Sequence, residues 1–208
     1  MTKVLHIVCS PLDNSQSRLV ADTLLETFAG LHAGAQVDVL DLWDVHLPEI
    51  RDEVLNAKIS ISAKRELTAA QAAAWDAIQR ETARLFEYDV FVISTPMWNW
   101  SVPYRLKHYI DVVTQPNLTF KWTPERGYEG LLKGRRAVVA YTSAFDYGDD
   151  SELRRFDHQK GYLEDWLYIV GVDDIRTIAF APTHPDAPGM PAARAQALTQ
   201  AVELARTL

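Results

Sequence analysis

Ser10, Ser15, Gln16 and Ser17 crowd three hydroxyls and an amide between a short apolar run and a helical repeat. Free backbone N–H groups at a helix start, backed by the positive end of its dipole, can hold a phosphate. The same Ser15 and Ser17 can also serve only as helix caps. A second stretch, Pro96-Met97-Trp98-Asn99-Trp100-Ser101-Val102-Pro103, sets two indoles around an amide in a connection expected to run over the surface. It can wall in a planar heteroaromatic ligand, with Asn99 and backbone amides on the polar edge. The alternative is a packing loop or a protein interface. A third connection, residues 142–150, follows another apolar run.

Other chemistries lack their residues. There is no Gly-x-Gly-x-x-Gly after the first strand, no Gly-x-x-x-x-Gly-Lys-Ser/Thr and no Gly-x-Ser-x-Gly, which removes the usual cradles of dinucleotides and nucleotide hydrolysis and the serine-hydrolase elbow. His6, His32, His46, His108, His158 and His184 show no paired ligand spacing, so they read as packing or surface residues and no metal is expected. Cys9 is the only cysteine. At the end of a buried strand it reads as a small apolar side chain, and without a disulfide partner it suggests a reducing, cytoplasmic setting.

The elements that must carry these loops follow from periodicity. Residues 4–9 form a β-branched apolar run stopped by Ser10-Pro11, a strand expected at the centre of a sheet, and Leu19, Ala21, Leu24, Leu25 and Phe28 then recur at helical spacing. Residues 36–42 alternate as an edge strand does. Residues 44–64 have poor periodicity and read as a long connection with room for a short helix. An amphipathic helix over 68–88 leads into a buried strand over 89–95, which Pro96 stops. Residues 102–113 read as a helix, and 118–123 and 127–130 as strands of a hairpin outside the main sheet. Strands over 137–142 and 176–180 and helices over 156–170 and 191–208 complete the pattern. Short apolar strands alternating with helices predict one three-layer α/β domain over residues 1–208 with a five-stranded parallel sheet and a β-hairpin insertion. Ligands of such sheets bind beyond the carboxyl ends of the strands, where the three loops lie.

The 208 residues are 48% hydrophobic and 24% charged, as in folded water-soluble domains. Lys plus Arg number 21 against 28 Asp plus Glu, a formal net charge of -7 that argues against nucleic acid as a partner. Charged residues interrupt every long apolar stretch, so no membrane span is expected, and the amino terminus lacks the pattern of a signal peptide.

Together these segments resemble the FMN-dependent NADH azoreductases, a family of flavodoxin-like quinone reductases. Lys3-Val4-Leu5 leading to Ser10 and Ser15-Gln16-Ser17 resembles that family's phosphate loop, and Pro96-Met97-Trp98-Asn99-Trp100 its Pro-Met-Tyr/Trp-Asn-Phe flavin loop. Leu106-Lys107-His108-Tyr109-Ile110-Asp111, Thr119-Phe120-Lys121-Trp122-Thr123, Glu129-Gly130-Leu131-Leu132-Lys133-Gly134 and Ile169-Val170-Gly171-Val172 extend the likeness over most of the chain. The resemblance implies a flavodoxin-like fold, noncovalent FMN and a homodimer with sites at its interface. It also implies hydride transfer from NADH or NADPH to the flavin and then to a quinone or azo compound. It implies that Ser10, Ser15, Gln16 and Ser17 hold the phosphate, and that Pro96, Met97, Trp98, Asn99 and Trp100 hold the ring. Backbone donors in Thr142, Ser143, Ala144 and Phe145 would then stabilise reduced flavin. Trp122 is a candidate to cover the partner's site, or simply packs within the hairpin. The family's Ser-Arg-Gly-Gly-like run is here Thr142-Ser143-Ala144-Phe145, and Phe145 is expected to narrow the pocket. No catalytic side chain is assigned, and Arg18, Arg105 and Lys107 are possible contacts for a 2′-phosphate. An electron carrier, or a regulatory partner subunit that kept the fold, are the competing readings.

Overall fold

The computed structural model describes residues 2–208. Its elements in chain order are β1 (Lys3–Val8), α1 (Gln16–Leu31), β2 (Gln36–Asp41), α2 (Asp52–Ser62), α3 (Ala69–Arg84), β3 (Val90–Pro96), α4 (Tyr104–Val113), β4 (Phe120–Thr123), β5 (Gly127–Gly130), β6 (Arg136–Thr142), α5 (Lys160–Val170), β7 (Asp174–Phe180) and α6 (Met190–Ala205). The main sheet is parallel throughout, in the order β2-β1-β3-β6-β7, and β4 pairs with β5 as a separate antiparallel hairpin.

The apolar runs of β1, β3 and β6 are continuous because both faces of the sheet are covered. Leu5, Ile7, Phe91, Ile93, Ala137 and Val139 enter the core beneath α2, α3, α4 and α5. Val4, Val90, Val92, Val138 and Ala140 enter the other, beneath α1 and α6. The expected flavodoxin-like three-layer sandwich is therefore present, with β2 at an edge as its alternation predicts. The centre belongs to β3, with β1 beside it, because β2 pairs outside β1.

Several boundaries shift for physical reasons. The connection over 44–64 holds the full helix α2. Its periodicity is faint because it buries only Val54, Ala57 and Ser60 and leaves Leu55, Ile59 and Ile61 exposed. The expected helix over 68–88 starts after a capping box, Thr68 with Gln71, and ends at Arg84 in a short 3₁₀ turn, Leu85–Glu87. Helix α5 starts at Lys160 rather than 156. A separate 3₁₀ turn, Arg154–Phe156, precedes it, and the Asp157 carboxylate accepts the N–H groups of Gln159 and Lys160. The hairpin strand begins at Phe120, since Leu118 and Thr119 donate back to the Gln115 carbonyl.

Backbone contact docks the hairpin. A Cβ at Gly130 would stand 2.1 Å from the backbone nitrogen of Gly171, which itself has φ +106. Leu132 N–H donates to the Val170 carbonyl at 2.8 Å beside this crossing. Only glycine permits such an approach. Gly130→Ala should therefore lower stability by about 1–3 kcal/mol in denaturant unfolding, the usual cost of overpacking. Gly161→Ala, where a Cβ meets open space, should not.

His6 lies buried between β1 and α1. Its Nε2 is 3.0 Å from Ser94 Oγ, and its Nδ1 is 3.7 Å from an Asp22 carboxylate oxygen that Arg18 also approaches. Burial, aided by the Arg18 charge, lowers its pKa to about 4. The unfolded chain binds this proton at about 6.5, so stability is full above that pH and falls as pH drops toward 4. The loss assigned to His6 should reach about 3 kcal/mol. Unfolding at pH 7 and pH 4.5 checks this: His6→Gln should flatten that part of the slope.

Candidate functional site

The first loop joins β1 to α1. Ser15 is the N-cap of α1, accepting Arg18 N–H through Oγ at 3.5 Å, and its Oγ lies 3.0 Å from Ser17 Oγ. Ser10, Ser15 and Ser17 are buried and Gln16 is half-buried. Ser10 Oγ accepts Leu12 N–H at 3.3 Å. The capping reading is thus realised, and it coexists with the other: the first turn of α1 contains no acidic residue and includes Arg18. An N-terminus with free N–H groups, converging hydroxyls and no carboxylate suits an anion. These residues fit the phosphate of an FMN.

The second loop leaves β3 and turns back within four residues. Trp98 N–H donates to Ser101 O at 2.9 Å and Ser101 N–H to Trp98 O at 3.0 Å, with φ +46 at Asn99 and +68 at Trp100. This is the two-residue turn that requires left-handed backbone at both central positions. Asn tolerates that conformation. Trp does not do so readily, at a cost of roughly 1–2 kcal/mol, and such strain persists where the surroundings over-determine it.

Those surroundings come from three elements. Trp43, just past β2, donates its indole N–H to the Cys9 carbonyl at 3.1 Å and packs against Trp98 and Tyr104, ring centroids 5.7 and 5.3 Å away. From the α5 side, Gln159 Nε2 donates to Pro96 O at 2.7 Å and His158 N–H to Trp100 O at 2.9 Å. Arg105 holds the end of β2 by donating to the carbonyls of Leu42 and Val45 at 2.6 and 2.7 Å. It is committed to backbone, and Lys107 to Asp111 at 2.6 Å; Arg18 faces Asp22 and Asp41.

The third loop meets the second directly, since Met97 N–H donates to Thr142 O at 2.7 Å. Beyond it, Ser143 and Ala144 carbonyls accept Thr183 and His184 N–H groups. Phe145 is exposed and stacks on His184, rings 6.3 Å apart and 9° from parallel. Two clefts open at these loops. One, of about 440 Å³, has Met97, Tyr141, Ser143, Gln159 and Phe180 in its walls. The other, of about 880 Å³, has Trp98, Asn99, Tyr104, His158 and Tyr162. Phe145 lines neither, so its narrowing effect on them is not found. The hydroxyl cluster of the first loop also lies outside both. Trp122 is exposed on the hairpin opposite Tyr128, apart from both clefts, rather than packed within it.

Sequence reasoning missed Trp43, Tyr104, Gln159 and Tyr141. An indole directly after an edge strand was a usable signal for Trp43, whereas nothing local marks Gln159. Cys9 is fully buried and burial pushes its thiol pKa far up, which suits an inert core residue. Among the described residues no group of His, Cys, Asp or Glu could hold a metal ion, and no helix is long and apolar enough to cross a membrane.

The turn geometry yields a test. Asn99→Val should cost about 1–2 kcal/mol in chemical denaturation, because a β-branched residue is forced to positive φ. Asn99→Gly should leave stability within about half that.

Comparison with known proteins places the chain. The family described as flavodoxin-like fold matches residues 2–205. A protein named FMN-dependent NADH:quinone oxidoreductase from Desulfotalea psychrophila is 38% identical over 209 residues, covering 100% of this chain and 98% of the relative. The FMN-dependent NADH:quinone oxidoreductase 3 of Pseudomonas fluorescens is 35% identical over 211 residues, with 100% and 98% covered. Among solved structures, an FMN-dependent NADH-azoreductase from Bacillus anthracis in complex with FMN superposes with a TM-score of 0.88 at 26% identity, covering 100% of this chain and 99% of that one. With its parallel order β2-β1-β3-β6-β7, its hairpin and full-length relatives of this kind, the chain belongs to the flavodoxin-like fold family, among the relatives named FMN-dependent NADH:quinone oxidoreductases.

Proposed function

We propose that this protein is an FMN-dependent NADH:quinone oxidoreductase that also accepts azo compounds. The observation that carries this is full-length relatedness to proteins of that name, on a chain whose loops after β1, β3 and β6 gather at one sheet edge. The reading takes residues 1–208 as one FMN-binding domain, acting in the cytoplasm as a homodimer. The exposed Trp122 and Tyr128 on one hairpin support such pairing, because large uncovered aromatics suit an interface.

In this reading Ser10, Ser15, Gln16 and Ser17 hold the phosphate with hydroxyls and first-turn N–H groups. Pro96, Met97, Trp98, Asn99 and Trp100 present a stiff turn to the ring, and Thr142, Ser143, Ala144 and Phe145 supply its backbone neighbours. Bound FMN supplies the two-electron chemistry, and the protein supplies orientation and exclusion of water. Overall, NADH gives up a hydride, the quinone takes it up with one proton from water, and NAD⁺ and hydroquinone leave. The strained turn serves orientation: backbone fixed in advance does not need ordering when the ring binds. Engagement of Arg105 with carbonyls and of Lys107 with Asp111 favours NADH over NADPH as donor, since neither cation is free for an added phosphate.

Purified protein mixed with excess FMN and desalted should remain yellow, and NADH without oxygen should bleach the flavin band. Ser15→Ala combined with Ser17→Ala should weaken FMN retention by about tenfold or more, from two lost contacts to a charged group. Colourless protein after desalting would overturn the reading.

A further inference from the structure

The turn that follows β2 holds none of the proposed cofactor contacts, yet both of the loops that do are fastened to it. Trp43, half-buried in that turn, donates its indole N–H to the Cys9 carbonyl, at the root of the first loop, at 3.1 Å. The same ring packs on Trp98 of the second loop and on Tyr104 at the start of α4, with centroids 5.7 and 5.3 Å away. Its backbone N–H donates to Asp41 Oδ1 at 2.9 Å, and the other oxygen of that carboxylate stands 3.9 Å from Arg18 in the first turn of α1. Arg105 closes the turn by donating to the carbonyls of Leu42 and Val45, on either side of Trp43. Trp43 lines neither cleft.

Each loop is closed by bonds of its own. In the first, Ser15 caps α1 and Ser10 accepts Leu12 N–H. In the second, the Trp98–Ser101 turn is tied to His158 and Gln159. The last bond between the parent strands runs from Cys9 N–H to Ser94 O at 3.0 Å. Beyond it, among the described residues, no backbone hydrogen bond joins residues 10–15 to residues 97–103. Trp43 crosses that gap, bonded to one loop and packed on the other. It therefore sets the spacing between the loops rather than the order within either.

We infer that Trp43 is a positioning residue that holds the first and second loops in register, so that the phosphate and the ring of one FMN bind as a single event. This rests on the proposed oxidoreductase reading and deepens it. Phosphate and ring are joined by a ribityl chain, so once one end is held the other binds intramolecularly. The gain is greatest when the two subsites stand at the span of that chain, and it falls when their spacing wanders. Riboflavin, which has the ring and chain but no phosphate, engages the second loop alone and has no such gain to lose. Trp43 thus sets the preference for FMN over the unphosphorylated flavin.

The test titrates full-length protein, freed of flavin, with FMN and with riboflavin, and reads quenching of flavin fluorescence. Trp43→Phe keeps an aromatic ring against Trp98 and Tyr104 but removes the indole donor. Arg105→Met loosens the same turn and leaves Trp43 in place. Each should weaken FMN by about fivefold, within the range of one lost neutral hydrogen bond, and riboflavin by less than about twofold. The ratio of the two dissociation constants then falls. A purely structural role, in which the variant only loosens the ring loop or lowers the folded fraction, weakens both flavins by the same factor and leaves that ratio unmoved. An unmoved ratio in any variant that folds, with a parent that binds FMN, overturns the inference and leaves the oxidoreductase reading standing. A parent that binds neither flavin overturns that reading and the inference with it.

Discussion

Burial of β1, β3 and β6 on both faces is the constraint from which the rest of this molecule follows. Strands covered by helices above and below can carry almost nothing but apolar side chains, and Val90, Val92, Ile93, Val138 and Val139 are all fully enclosed. Polar chemistry is thereby expelled from the sheet to its carboxyl edge. There the chain must leave each strand, and the backbone groups of adjacent loops come within reach of one another. His6 and Ser94 are polar groups inside the sheet, and they are paired with each other while the surroundings keep the imidazole neutral.

At that edge, rigidity is built from several directions. The Trp98–Ser101 turn holds Trp100 at a backbone angle that this residue disfavours. It does so because Trp43 and Tyr104 press on one side while Gln159 and His158 tie the other. No single bond among these is strong, since hydrogen bonds contribute about 0.5–1.5 kcal/mol each net of water. Their convergence is what over-determines the loop. A surface preformed in this way loses little entropy when a planar ligand is bound, which is the physical advantage of placing strain there.

The hairpin obeys a different logic. It is attached by backbone packed on backbone at Gly130 and Gly171 rather than by side-chain burial, so its aromatic side chains are left facing outward. Trp122 and Tyr128 are more than half exposed. The same element is therefore firmly docked and unsatisfied at its surface, a combination suited to an interface.

The sequence by itself determined the architecture. Periods of two and near four, Pro and Gly at the breaks, and uninterrupted apolar runs are local signals, and burial on two faces leaves them no alternative reading. It also marked the loops, because Ser15-Gln16-Ser17 and Trp98-Asn99-Trp100 are unusual where they stand. Helix α2 was faint because it packs through only three residues. The tertiary structure alone decided which partners complete the edge. Gln159 reaches Pro96 across 63 positions and Trp43 reaches Cys9 across 34. Such pairings depend on which helix lies over which strand end, a matter of packing between distant segments that no local pattern encodes.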